Sequence, residues 1–432
     1  MTFFSAIIRK IIYHTAGLCP RVNKAVLGSY KNQFSDNAKY LYLHWQHTGL
    51  IRSIWISGDN AVIKRLRKEG FEAYNRRSIV GIFHCLTAKF YFYNSYVGDI
   101  NQYFAKGAVK INLWHGSPLK KIEFDITSGP LAHTYQADTL LGEWKNRLHY
   151  HQQHIKPDMM LSPSPVIDSL FSSAFRLAAH QLIRSGNPRT DYFKRYPEQT
   201  KSIPELLNTQ YKKVILYVPT WRDSNINNKR DEQKKTIENP YDKGFDWAAL
   251  SKQLKRNKQL FLVRFHPNEA HLGKDLNQYS NIIDISHWED VYNILQGVDL
   301  LITDQSSLFI DLLLHQVPIL FYSFEQGGKP EKLREIYDYA EFLPLVGQVT
   351  SNEAINNRYR VYQFQVLMER LDRDETFHIS PSTINEYQLL RNIFWQQQKC
   401  DAFENIEHYL FSNKKQNKTE GTEKSGLLGS RF

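Results

Sequence analysis

Short apolar blocks that each end in polar or turn-forming residues recur along this chain, and their spacing restricts the fold more than any other feature. "SIWIS" at 53–57, "SIVGIFHC" at 78–85 and "VKINLWH" at 109–115 read as strands, and "PDMMLSPSP" at 157–165 as a short strand before a Pro-rich turn. "NAVIKRLRKEG" at 60–70 has helical periodicity and ends at Gly70, which suits a helix C-cap. A second series follows with "KVILYVPT" at 213–220, "QLFLVRFHP" at 259–267, "NIIDIS" at 281–286, "DLLITD" at 299–304 and "VPILFY" at 317–322. Strands alternating with amphipathic stretches argue for parallel α/β sheets. Two such series predict two doubly wound α/β domains facing each other across a cleft.

The expected division is an amphipathic segment over 1–20, an α/β domain over 21–190, a second over 210–400 and a disordered basic tail over 413–432. The turn-rich "SGNPRTDYF" at 185–193 and the polar stretch after it carry the hinge. The polar run "SNINNKRDEQKKTIENPYDKG" at 224–244 reads as a mobile surface loop of solvated charge. The tail has too few apolar residues to bury a core.

The chain of 432 residues carries a net charge of +11, which favours anionic partners. Nucleic acid is not expected, because no helix-turn-helix, zinc-finger or RNA-binding signature is present. Cys19, Cys85 and Cys400 are far apart and fit no metal spacing, so a reduced, cytoplasmic setting fits best. No run of about 20 apolar residues could form a transmembrane helix. At the N-terminus Phe3, Phe4, Ile7, Ile8, Ile11 and Ile12 repeat at helical spacing around Arg9 and Lys10. That pattern suits either an interfacial membrane helix or a helix docked on its own domain.

In open α/β sheets ligands bind beyond the carboxyl ends of the strands. The unusual residues fall at that edge. His115-Gly116-Ser117-Pro118 follows one strand, Thr220-Trp221-Arg222 another, Arg264 and His266-Pro267 a third, and Asp304-Gln305-Ser306-Ser307 a fourth. Imidazole is well matched to taking a proton from a hydroxyl near neutral pH, and Gly116 lets the backbone turn beside it. Lys120 and Lys121 would attract an anionic acceptor. Arg222 and Arg264 suit bidentate contact with phosphate, although an Arg at a strand end also serves as a salt-bridge residue. Ser306 and Ser307 precede an apolar helix, as a phosphate cradle or as a plain N-cap. No Walker A loop, GxSxG elbow or HExxH is present. "HYHQQH" at 149–154 reads as a polar helix face and not as a zinc site.

Taken in order, "INLWHGSPLKKI", "SGNPRTD", "ILYVPTWRD", "RFHP" and "DLLITDQSSLFIDLLLHQVPILFY" resemble the CDP-glycerol glycerophosphotransferase family, with "LREIYDY" at 333–339 extending the match. The resemblance implies a GT-B-like fold with an acceptor-side N-terminal domain and a donor-side C-terminal domain. It implies CDP-glycerol or CDP-ribitol as donor substrate, a lipid-linked or polyol-phosphate acceptor, and peripheral attachment to the cytoplasmic face of the membrane, in teichoic-acid-like or capsular polymer synthesis. The family's two histidines map to His115 and His266, and its phosphate segment to Asp304, Ser306 and Ser307. Gly116, Ser117 and Lys120 fall on the acceptor side, and Arg222 and Arg264 on the donor phosphates. Ser117 and Gln305 stand where many members have Thr and Tyr. No cofactor is expected, and no carboxylate cluster suggests an essential metal. Two other readings stay open: a GT-B glycosyltransferase using a nucleotide sugar, and a non-catalytic membrane-associated assembly partner.

Overall fold

The computed structural model describes residues 3–129, 131–200, 203, 211–220, 240–266, 269–304, 306–324, 337, 359–396 and 401–411. The expected tail and Arg222 lie outside the described residues, as does most of the 224–244 loop. The chain forms two compact units. The first comprises residues up to His115, Ala132–Arg195 and the chain from Trp395 onward; the second comprises Gly116–Leu131 and Tyr196–Phe394.

Among the described residues the first unit is built on a seven-stranded sheet: β1 (Val22–Leu27), β2 (Ser53–Ser57), β3 (Ala73–Asn75), β4 (Ala88–Tyr93), β5 (Val109–Asn112), β6 (Met159–Ser162) and β7 (Leu182–Arg184). Their order is β3-β2-β1-β4-β5-β6-β7, with every described pairing parallel. Parallel sheets bury both faces, so the strands are continuous apolar runs; β2 and β6 are buried along their whole length. Helices α1 (Phe3–Ala16), α2 (Asp36–Thr48), α3 (Asn60–Lys68), α4 (Ile79–Thr87), α5 (Ala132–Tyr135), α6 (Leu140–His149), α7 (Pro165–Ala174) and α8 (Pro188–Arg195) connect or flank them.

"SIVGIFHC" is not a strand, as its apolar run suggested. Ser78 caps a helix there by accepting from Gly81 N at 3.0 Å, and Gly81, His84 and Cys85 form the buried stripe of α4 while Ile79, Val80 and Phe83 face out. The strand of that region is the next segment, "AKFYFY". The N-terminal helix forms as its periodicity predicts, but its buried residues are Ala6, Arg9, Tyr13 and Ala16. Phe4, Ile8 and Ile11 lie exposed on its outer side.

"HYHQQH" is not a helix face either. α6 stops at His149, and His151 turns inward to 1% exposure, with the Tyr13 ring edge-on at 4.9 Å. His154 Nε2 contacts the Thr134 carbonyl at 3.0 Å. A helix over 402–411 returns to this unit: Phe403 stacks on His44 at 4.1 Å, and Glu407 accepts from Trp45 Nε1 and pairs with His44 Nε2, each at 3.0 Å.

The second unit repeats the scheme with β8 (Lys213–Val218), β9 (Gln259–Val263), β10 (Ile282–Asp284), β11 (Leu300–Thr303), β12 (Ile319–Tyr322) and β13 (Arg360–Val361). The order is β10-β9-β8-β11-β12-β13, again parallel in each described pairing. Its helices are α9 (Trp247–Arg256), α10 (Leu308–Leu312), α11 (Phe364–Asp372) and α12 (Pro381–Trp395). Tyr217, Phe245, Phe261, Leu250, Leu254 and Tyr322 anchor one face of its core. In both sheets the strand order reverses beside the first strand, between β1 and β4 and between β8 and β11. Such switch points open a crevice at the carboxyl ends.

Burial lowers the His151 pKa to about 3, and the cations Lys10 and Arg9 push the same way. The unfolded chain therefore takes up that proton first, and stability is lost as pH falls from about 6.5 towards 3. We expect the thermal unfolding midpoint to drop between pH 7 and pH 4, and His151→Gln to flatten that slope while lowering the midpoint at pH 7. Identical slopes in the two proteins would show that His151 does not carry the effect.

Candidate active site

The His115 site grows from the end of β5. Asn112 Oδ1 accepts from Trp114 N at 2.9 Å, turning the chain out of the sheet. Trp114 takes a left-handed φ of 52° and is buried against Phe175, ring centroids 4.9 Å apart. Gly116 follows at φ 126°, a conformation that side-chain-bearing residues rarely adopt. His115 is thus presented at the strand tip, exposed, with its ring 4.2 Å from that of Trp114.

Two asparagines hold this tip. Asn37, on the first turn of α2, donates from Nδ2 to the carbonyls of Leu113 at 3.2 Å and Trp114 at 2.8 Å. Asn94, just after β4, offers its carbonyl oxygen to His115 Nδ1 at 2.9 Å. A carbonyl only accepts, so Nδ1 carries the hydrogen and Nε2 presents a lone pair. His115 is open to solvent on one side, yet the protein packed around its ring lowers its pKa from the ordinary value; Asp36 and the Asn94 carbonyl oppose this and Arg189 adds to it. The neutral imidazole is the favoured form. Arg189 is itself buried and paired with Asp36 at 2.8 Å, while its backbone N donates to Asn37 Oδ1 at 3.1 Å. "SGNPRTD" therefore reaches the histidine tip through Arg189.

Ser117 and Lys120 lie in the segment that groups with the second unit. Ser117 is buried and its hydroxyl has no hydrogen-bond partner among the described residues. Lys120 is half-buried. Tyr337, from "LREIYDY", braces the segment by donating from its backbone N to the Leu119 carbonyl at 3.0 Å and from its hydroxyl to Asp125 at 2.7 Å.

In the second unit Asp304 joins the two strand tips at the switch point. Its Oδ1 accepts from Thr220 N at 2.7 Å and from the Thr220 hydroxyl, and Thr303 Oγ1 donates to the Val218 carbonyl at 2.7 Å. Ser306 and Ser307 come next, ahead of α10. Ser306 Oγ lies 3.5 Å from Leu308 N, and Ser307 occupies the N-cap without a side-chain cap bond. Gln305 lies outside the described residues.

Arg264 directs Nη1 at the carbonyls of Trp288 at 2.8 Å and Ile285 at 3.2 Å, so part of its guanidinium fastens the loop after β10. Burial lowers its pKa, opposed by Asp290, Tyr292 and Asp284. His266 is half-buried beyond β9, with its carbonyl accepting from Glu269 N at 2.7 Å. Glu269 is buried and accepts from the Tyr241 hydroxyl at 2.8 Å. Pro267 lies outside the described residues. Each unit thus gathers its own cluster: His115 with Asn37, Asn94 and the Asp36–Arg189 pair in the first, and Thr220, Asp304, Ser306 and Ser307 at the switch point of the second. Among the described residues no group of three His, Cys, Asp or Glu side chains is placed to hold a metal ion.

Sequence reasoning missed Asn37 and Asn94, and it placed Thr220 at the sheet edge without giving it a role. The available signals were modest: an Asp-Asn pair opening a helix at 36–37, and an Asn-Ser pair closing the aromatic run "FYFY".

Two parallel Rossmann-type units with polar clusters at their carboxyl edges make a GT-B-like fold. The family model for CDP-glycerol:poly(glycerophosphate) glycerophosphotransferase matches residues 12–358, and the chain belongs to that family. It is 26% identical over 376 residues to a teichoic acid glycerol-phosphate transferase of Staphylococcus aureus, covering 84% of this chain and 85% of that one. It is 27% identical over 321 residues to a teichoic acid glycerol-phosphate primase of Bacillus subtilis, covering 72% and 77%. The fold matches that of the wall teichoic acid polymerase TagF with a TM-score of 0.71, at 21% identity over 96% of this chain and 97% of that one.

Proposed function

We propose that the protein transfers a polyol phosphate, glycerol phosphate foremost, from a CDP-polyol to a hydroxyl of a lipid-linked or polyol-phosphate acceptor. The acceptor oxygen attacks the phosphorus that bears the polyol. Its proton passes to His115 Nε2, the bond to the neighbouring phosphate breaks, and CMP leaves. The observation that carries this reading is the His115 hydrogen bond to the Asn94 carbonyl, which leaves a neutral nitrogen free to accept. His266, Arg264 and Arg222 offset the charge growing on the leaving phosphate, and Asp304, Ser306 and Ser307 shape the donor phosphate site. Ser117, with its buried hydroxyl, and Lys120 serve the acceptor. Positioning and electrostatics dominate such a reaction. The product belongs to a teichoic-acid-like or capsular polymer.

The acceptor's lipid carrier requires the enzyme to work at the cytoplasmic membrane face, and the outer side of α1 suits that surface. Phe4, Ile8 and Ile11 are exposed there, and Leu140, Leu141 and Trp144 are exposed on the neighbouring α6. Between the helices lies an open cavity of about 660 Å³ lined by Ile7, Ile11, Trp144 and Leu148, with Lys10 and Arg147 beside it. Apolar side chains flanked by basic ones match an anionic lipid interface. No described helix is long and apolar enough to cross a membrane.

The reaction is tested by CMP release from CDP-glycerol and CDP-ribitol with a glycerol-phosphate acceptor, before and after exhaustive chelation. We expect acceptor-dependent CMP release that survives chelation, with kcat reduced about 10²–10⁴-fold in His115→Ala, the range for loss of a general base. Sugar transfer with release of a nucleoside diphosphate would assign a glycosyltransferase instead, and full activity in His115→Ala would remove the base. Membrane contact is tested by sedimentation with phosphatidylglycerol-containing vesicles. Replacing Phe4, Ile8 and Ile11 together by Glu is expected to weaken binding about tenfold or more. Unchanged binding would exclude α1 as the contact.

A further inference from the structure

The buried carboxylate of Asp99 has no part in the chemistry described so far, yet it lies one peptide unit away from His115. Asp99 closes the short 3₁₀ turn Val97–Asp99 that follows β4, and it is 7% exposed. Its Oδ2 accepts from Ser95 N at 2.8 Å and Asn94 N at 3.2 Å, and its Oδ1 accepts from Ser95 Oγ at 2.8 Å. Ser95 N–H and Asn94 C=O belong to the same peptide group and point in opposite directions. One side of that group therefore donates to Asp99 while the other accepts from His115 Nδ1 at 2.9 Å.

The result is a chain of hydrogen bonds running from imidazole to peptide to carboxylate. A negative charge on the N–H side polarises the peptide and makes its carbonyl a stronger acceptor. The surroundings keep this peptide from rotating. Asn94 is 1% exposed, its Oδ1 accepts from Ala38 N at 3.0 Å, and its Nδ2 donates to Ser29 Oγ at 2.8 Å. Arg76 donates to the backbone carbonyls of Gly98 and Asp99, each at 2.7 Å, fixing the turn from the other side. Asn112 Nδ2, one strand over, donates to the Ser95 carbonyl at 3.1 Å. Burial raises the Asp99 pKa to about 6, opposed by the Ser95 and Asn94 hydrogen bonds and by Arg76, so the carboxylate is ionised at neutral pH.

We propose that Asp99 is a positioning residue for His115, acting through the Asn94–Ser95 peptide to hold the imidazole as its Nδ1–H tautomer with Nε2 facing the acceptor hydroxyl. The proposal rests on the reading of His115 as the base. It assigns to a peptide-relayed carboxylate the orienting work that a carboxylate does directly in hydrolytic triads.

Asp99→Asn keeps the shape and removes the charge: its amide oxygen can still face the Asn94 and Ser95 N–H groups, while its N–H₂ meets the Ser95 hydroxyl, which can turn to accept. Two readouts apply. Long-range ¹H–¹⁵N correlation spectra at pH 7.5, with the His115 signals identified by their loss in His115→Gln, are expected to show a single Nδ1–H tautomer in the wild type. In Asp99→Asn the same signals are expected to show a mixture of tautomers. In the CMP-release assay with CDP-glycerol, Asp99→Asn is expected to lower kcat about 10–100-fold while KM for CDP-glycerol changes less than about twofold. An Nε2–H tautomer in the wild type overturns the proposal, and that result needs no variant to fold. A folded Asp99→Asn protein with unchanged tautomer and unchanged kcat overturns it as well. If His115→Ala keeps its activity, the base assignment fails, whereas the tautomer comparison still decides whether Asp99 sets the ring.

Discussion

All-parallel strand pairing is the constraint on which both units depend. When every strand runs the same way, every carboxyl end opens on one edge, and residues far apart in sequence meet there. Pairing of β4 with β5 puts Tyr93 level with Asn112, so Asn94 and the turn after it lie next to the chain leading to His115. Pairing of β8 with β11 puts Val218 level with Thr303, so Thr220 falls within reach of Asp304. Neither contact needs a long loop. Each follows from register, and register is fixed because a one-residue slip would turn the buried face of a strand outward.

The two edges then do different physical work. At the first, backbone and amide groups immobilise an imidazole: Asn37 holds the carbonyls before it, Asn94 takes its Nδ1 hydrogen, and Gly116 bends the chain away. At the second, Asp304 locks two strand ends together and sets the path into Ser306 and Ser307. A fixed imidazole and a braced polar turn suit the proposed transfer, in which the enzyme mainly aligns an oxygen with a phosphorus and offsets charge.

Much of this was legible in the sequence where one physical signal dominated. β8, β9, β11 and β12 stood out because they are buried along most or all of their length and so form continuous apolar runs. His115, His266, Ser306 and Ser307 stood out because polar residues directly after such runs fall at the sheet edge. The failures have equally physical causes. "SIVGIFHC" looked like a strand because α4 carries Ile79, Val80 and Phe83 on its exposed side, which removes the polar face that marks a surface helix. β1 was missed because Lys24 interrupts it; that lysine is buried beside His84 Nδ1, 2.9 Å away. The groups around the His115 tip come from residues 37, 94 and 189, and nothing local to any of them points to the histidine. The helix over 402–411 returns to the first unit through Glu407, a contact set by tertiary packing alone.

The central claim is that His115 is a neutral, oriented acceptor whose proton affinity is held below that of a free histidine. The pH dependence of kcat/KM for acceptor-dependent CMP release from CDP-glycerol reads this directly, since it reports the ionisation of the free enzyme. The account predicts a rate that holds through neutral pH and declines only below the ordinary histidine pKa of about 6.5. An acid limb centred at pH 7 or above would mean that the essential base is held protonated rather than neutral, and would contradict it.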